Sequence, residues 1–233
     1  MKKYLGLTLF LSNFILIAFC QKTVSNLEQL RRHPNPNEVT FVAFYGSKLT
    51  SFPEEILKCK NVEQISISEA TLESLPEGLD ALTKLKTLTI ESSNLKTIPE
   101  VIFNLKNLES LSLSDNHIQS IQFSIRFSKL KYLTLNNNQI TELPESLFNI
   151  KTLEGISLAG NPLTSISAKV GQLNKIEGIN LISTNIETLP IEIKNCKKLK
   201  SISIIDTPLS KNSSEIQRIE LQTGKKLTTT YKL

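Results

Sequence analysis

Side chains able to do acid–base, nucleophilic or metal chemistry are sparse in this 233-residue sequence. The two histidines, His33 and His117, are far apart, and neither has a second imidazole or thiol at a ligand spacing, so no metal set is expected. Asp115-Asn116-His117 groups three polar side chains without a nucleophile beside them. A G-x-S-x-G nucleophile turn is absent. Gly155, Gly160, Gly171 and Gly178 form no phosphate-cradling loop, and Gly224-Lys225 lies near the C-terminus, outside any such pattern. Asn212-Ser213-Ser214 fits a glycosylation acceptor, a short motif common by chance. The residues therefore predict no enzyme and no cofactor, and the chemistry to look for is recognition.

The elements that would position recognising side chains follow from an internal repeat. Leu85, Leu88, Ile90, Leu95, Ile98-Pro99, Ile102 and Leu105 recur at a shift of 23 residues as Leu108, Leu111, Leu113, Ile118 and Ile121. Backwards, the same phase gives Val62, Ile65, Ile67, Leu72, Leu75-Pro76, Leu79 and Leu82, then Val39, Val42, Phe44, Leu49, Phe52-Pro53 and Ile56. Downstream units start at Leu130, Leu153, Ile176 and Leu199. In Leu133-Thr134-Leu135, period-two alternation makes a short strand with both leucines inward. Asn116, Asn138 and Asn161 follow their strands, where a carboxamide can satisfy backbone groups of a tight coil. Ser47, Ala70, Ser93, Thr184 and Thr207 take that place elsewhere. Proline fixes the bend beyond it, and the x-x-Ile-x-x-Leu stretch suits a short helix or 3₁₀ turn. Gln122 and Ser167 interrupt the proline series.

The pattern resembles the leucine-rich repeat in its bacterial-type form, L-x-x-L-x-L-x-x-N-x-L-x-x-L-P-x-x-I-x-x-L, over nearly three quarters of the chain. The resemblance implies an α/β fold: a right-handed solenoid with a parallel β-sheet on its concave face and short helices or 3₁₀ turns on its convex face. No unit can bury its apolar edge alone, so stability comes from neighbour contacts. The expected organisation is a signal peptide over 1–20, an N-terminal cap over 21–38, about eight repeats over 39–209, and a C-terminal cap and tail over 210–233. Thr23 to Arg32 is predicted as a cap helix laying Leu27 and Leu30 on the first unit. A second helix is predicted through Glu215, Ile216, Ile219 and Leu221, N-capped by Ser213 or Ser214 and ending near Gly224. The tail from Lys225 to Leu233 either frays or adds a final strand. Cys59 and Cys196 share the last apolar position of units six layers apart, roughly 25–30 Å at the strand spacing. A disulfide needs Cα atoms within about 7 Å, so both read as buried core thiols.

The N-terminus reads as an export signal: Lys2-Lys3, then an apolar run from Tyr4 to Phe19 that is shorter than the roughly 20 residues of a membrane span. Cleavage before Gln21 is favoured, and it lowers the formal charge from +5 to +3. The alternative is lipidation of Cys20, since Ile17-Ala18-Phe19-Cys20 resembles a bacterial lipoprotein signal, although Phe19 stands where a small residue is expected. The chain is thus read as exported, secreted or periplasmic, or as an outer-membrane lipoprotein, with no membrane contact beyond that anchor. Its mild basicity does not point to nucleic acid.

Repeat phase assigns the concave face. The outward residue between each inward pair is Ala43, Ser66, Thr89, Ser112, Thr134, Ser157, Asn180 or Ser203. Flanking them are Phe41 and Tyr45, an acidic middle of Glu69, Glu91 and Asp115, then Tyr132 and Asn136, and Ile182 and Ile205 at the far end. Clustered aromatics and isoleucines at such a face are the usual makings of binding hot spots. The family resemblance implies a protein partner held there. A polysaccharide-binding or structural envelope role is the alternative.

Overall fold

Each inward-x-inward triplet folds as a strand because alternation sends its two apolar side chains to one side. The computed structural model describes residues 23–46, 48–121 and 127–230. In it, ten strands form one parallel sheet in sequence order. They are β1 (Thr23–Val24), β2 (Phe41–Tyr45), β3 (Gln64–Ser68), β4 (Thr87–Glu91), β5 (Ser110–Ser112), β6 (Tyr132–Thr134), β7 (Gly155–Ser157), β8 (Gly178–Asn180), β9 (Ser201–Ser203) and β10 (Leu227–Thr228). The register keeps repeat phase from end to end, with Ala43, Ser66, Thr89, Ser112, Thr134, Ser157, Asn180 and Ser203 paired in one row. The apolar positions on either side of that row are buried in one continuous Leu/Ile core. The architecture is the right-handed α/β solenoid that the resemblance implies.

Opposite the sheet, six of the described returns pass through a five-residue 3₁₀ turn: Glu54–Lys58, Glu77–Ala81, Glu100–Asn104, Glu145–Asn149, Ala168–Gln172 and Ile191–Asn195. Proline precedes five of them, fixing an extended φ where the chain enters the bend. Ser167 does the same work differently, its hydroxyl accepting the Lys169 N–H at 3.3 Å. Phe103 and Phe127 meet edge to face at 5.6 Å on this side.

Two backbone devices hold the turns after the strands. Buried Asn116, Asn138 and Asn161 staple successive layers. Asn138 Nδ2 donates to its own layer at Leu135 O (3.1 Å) and to the preceding layer at Leu113 O (3.0 Å). Its Oδ1 accepts Ile118 N–H at 3.0 Å. Thr184 and Thr207 instead bond within their own layer, to Leu181 O and Ile204 O at 2.8 and 2.6 Å. At Ala70 the adjacent Thr71 binds Leu49 O through both its N–H (2.8 Å) and its hydroxyl (3.2 Å). One residue before each of these positions, the chain turns left-handed at Gly46, Glu69, Ser92, Asp115, Asn137, Gly160, Ser183 and Asp206. At Gly160 a Cβ would fall 2.2 Å from Asn137 Oδ1, so any other residue there must displace that side chain.

The ends depart from the predicted caps. Residues Thr23–Val24 form β1 rather than helix, in keeping with two β-branched residues beside an open strand, and α1 runs only from Leu27 to Arg32. Asn26 caps it, accepting Gln29 N–H at 2.8 Å. Leu30 is buried and Leu27 packs on the core. At the other end α2 spans Ser213–Thr223, and its cap is Asn212, not either serine: Oδ1 accepts Glu215 N–H at 3.1 Å. Gly224 closes the helix at φ +68°. The tail then supplies β10, pairing with β9. Cys59 and Cys196 are both buried and free. Burial pushes the Cys59 thiol up to about 11 and raises that of Cys196. Cys20, the export signal, Ser47 and Gln122 lie outside the described residues. Among the described residues no helix is long and apolar enough to cross a membrane.

Candidate partner-binding face

The sheet presents three rows of side chains between its N-terminal and C-terminal edges. The central row is the ladder of small hydroxyls, with Ala43 at one end and Asn180 near the other. It contains no charge, and it lets another backbone come close.

The row toward the C-terminal ends of the strands runs from Tyr45 through Ser68 and Glu91. By repeat phase it continues through Ser114, Asn136, Ala159, Ile182 and Ile205. Tyr45 is 64% exposed and its hydroxyl lies 3.2 Å from Ser66 Oγ. Glu91 is half-buried and accepts the Ser112 hydroxyl. Asn136 is locked in a polar chain, its Oδ1 accepting Ser157 Oγ at 2.6 Å and Ala159 N–H at 3.0 Å. Asn180 Nδ2 extends the chain to Ser157 Oγ at 2.9 Å. Ile182 is half-buried. Ile205 is buried and does not form an exposed pair with it. The reason is the tenth strand: extending the β9–β10 register places Thr230 level with Ile205, so its layer is no longer the last.

Glu69 and Asp115 are not on this row. They occupy the left-handed turns at the strand ends, where both are exposed. Asp115 accepts Asn137 Nδ2 at 2.8 Å. The acidic middle is thus a rim of the sheet at Glu69 and Asp115, with Glu91 alone facing inward from its strand.

The row toward the N-terminal ends begins with Phe41, half-buried beside Thr23 of β1. It ends with Tyr132, Gly155, Gly178 and Ser201 in register. The Tyr132 ring leans over Gly155, where a Cβ would come within 3.1 Å of Cδ1. Tyr132 stays 49% exposed, and its hydroxyl donates to Glu154 Oε2 at 3.1 Å. That bond and the charges of Glu154 and Glu177 raise the phenol above its ordinary range.

One feature was missed by reading for hydrophobic phase. Immediately before the strands, Glu63, Lys86, Glu109, Lys131, Glu154, Glu177 and Lys200 form a charged ladder along the N-terminal edge. Ion pairs bridge layers at Lys86–Glu63 (2.9 Å), Lys131–Glu109 (2.7 Å) and Lys200–Glu177 (2.6 Å). Hydrogen bonding to the lysines lowers the Glu109 and Glu177 carboxyls, and the lysines rise in return. The paired side chains keep 36–73% of their surface in solvent, so the pairs hold side-chain positions more than they add stability. The signal was legible as charge recurring at repeat phase. Among the described residues no group of three or more His, Cys, Asp and Glu could hold a metal.

Comparison with known proteins agrees with the geometry. Residues 18–104 match the family described as BspA type leucine rich repeat region (6 copies). Residues 106–149 match leucine rich repeats (2 copies). No curated protein matches the chain significantly. Among solved structures, a leucine-rich-repeat protein of Leptospira interrogans is 27% identical over 82% of this chain, with a TM-score of 0.62. The ectodomain of the plant membrane receptor kinase GASSHO1/SCHENGEN3 of Arabidopsis thaliana, solved with Casparian strip integrity factor 2, is 25% identical over 79% of the chain, with a TM-score of 0.63. The present chain spans 55% and 23% of those two structures respectively. Internalin C2 of Listeria monocytogenes, 20% identical, shares the fold over 74% of each chain at a TM-score of 0.66.

Proposed function

The chain is a leucine-rich-repeat protein, and on that premise we propose that it is a binding module acting outside the cytoplasm, not an enzyme, that holds a protein partner on the concave face of its sheet. The observation that supports this most is Tyr132. A half-exposed ring fixed over bare Gly155 backbone by a hydrogen bond to Glu154 is a rigid anchor on an otherwise small-residue surface. Aromatics so placed dominate interface energies at low entropic cost. Tyr45, on the opposite row in β2, adds a second exposed ring, its hydroxyl 3.2 Å from Ser66 Oγ. The plant ectodomain, solved in complex with Casparian strip integrity factor 2, supports a macromolecular ligand for such a fold. Export rests on the basic-then-apolar start and the small residue at Ala18, with Cys20 as the site of the alternative lipid anchor.

The test is a pull-down with residues 21–233 from extracts of the source cells and of any host, beside a folded variant carrying Tyr132→Ala and Ile182→Glu. The expected result is a protein retained by the wild type and lost by the variant. A protein held equally by both moves the site to the convex side or the caps. Retention of polysaccharide with no protein supports the envelope or glycan-binding alternative.

A further inference from the structure

We propose that the segment taken by this face is an extended, basic stretch of protein whose cations fall in two groups about six residues apart. The inference rests on the concave-face reading and adds the chemistry of the occupant.

Charge is distributed unevenly across the sheet. At the N-terminal edge, Glu63, Glu109 and Glu177 are already matched by lysines one layer away. Three other carboxylates, Glu154 on that same edge and Glu91 and Asp115 toward the opposite one, have only neutral hydrogen-bond donors: Tyr132 for Glu154, Ser112 for Glu91 and Asn137 for Asp115. Among the described residues none of these three joins an ion pair. Neutral donors orient a carboxylate but leave its charge; the central row has no Lys or Arg, and Lys131, whose field reaches Glu154, is itself paired with Glu109. The chain as a whole is +5, so this face is opposite in sign to the molecule's net charge. An acidic occupant would meet uncompensated carboxylates. Among the described residues a glycan would find two exposed stacking rings, Tyr45 and Tyr132, four layers apart, about 19 Å at the strand spacing. A basic chain satisfies both the charge and the close approach permitted by Gly155, Gly178 and the small hydroxyls.

Position sets the spacing. Glu91 and Asp115 stand at the C-terminal ends of β4 and β5, and Glu154 stands just before β7 with the exposed Tyr132 ring beside it. The separation is about 14 Å along the stack and about 16 Å across the strands. The diagonal of about 20 Å is spanned by roughly six extended residues. A guanidinium or ammonium at the second position gains the tyrosine face as well as the carboxylate.

A random twelve-residue peptide library displayed on phage, selected on residues 21–233, tests the proposal. Enriched peptides should carry Lys or Arg in two groups about six residues apart. Their affinity should fall at least tenfold in a folded Glu91→Gln, Asp115→Asn variant and at least tenfold in Glu154→Gln, and should weaken as salt rises. Enrichment without Lys or Arg, affinity unchanged in the carboxamide variants, or no enrichment overturns it. Peptides poor in Lys and Arg that are nonetheless lost on Tyr132→Ala, Ile182→Glu overturn this inference and leave the concave-face reading standing. Peptides insensitive to both sets of variants remove the concave face itself.

Discussion

Asn138 lies where its two layers would otherwise leave backbone groups unpaired, and its carboxamide serves four of them: Ile118 N–H and the carbonyls of Leu113, Leu135 and Asn136. Truncation orphans buried groups that water reaches poorly, at roughly 1–3 kcal/mol each where no relaxation helps. Asn138→Ala is therefore expected to destabilise by about 3 kcal/mol in urea unfolding. Thr184→Ala, which loses one bond to its own layer, should cost about 1 kcal/mol. Equal losses would show that the asparagine does not staple layers. The asparagine role was legible because the residue recurs at one phase. The left-handed residue before it was not, since Gly, Glu, Ser, Asp and Asn all occupy that place. Repeat phase alone therefore sets Glu69 and Asp115 on the sheet, one position from the turns they occupy.

At the scale of elements, strand register followed directly from the repeat, while both caps needed tertiary information. Thr23 and Val24 are too few to signal a strand until β2 offers an edge. Asn212 outcompetes the serines because its Oδ1 accepts both Glu215 N–H and Ser214 Oγ. Helix α2 is further tied to the repeat body at Thr188, whose hydroxyl donates to Glu215, and Glu215 also pairs within the helix with Arg218 at 2.6 and 2.7 Å. These bonds hold its carboxyl down from 4.5 to about 2. A depressed carboxyl stabilises the fold above its unfolded value and loses that contribution as pH falls through the folded one. The stability gap between wild type and Glu215→Gln should thus be full above about pH 4.5, shrink below it and close near pH 2. A gap constant across that range in urea titrations would contradict the assignment.

For the whole molecule, a sequence that spends its Leu and Ile on one continuous core and its small hydroxyls on one face makes the solenoid and the orientation of its sheet readable in advance. The candidate site was only partly so. Tyr45, Tyr132 and Asn136 face the concavity as phase requires, but Ile205 is covered once the tail adds a tenth layer, and Phe41 lies beside β1. The pairing of Tyr132 with Glu154 over Gly155 joins residues that look unrelated until neighbouring layers are superposed at 22–23 residues.

The central claim is that the concave face is where the partner sits. Site-specific photo-crosslinking puts it to the most direct test, with a benzophenone side chain at position 110 on the sheet, level with Tyr132, and, separately, at position 149 in the opposite 3₁₀ turn. The account predicts one discrete protein adduct from position 110 and none from 149. Adducts from 149 alone would place the partner on the convex side and contradict it.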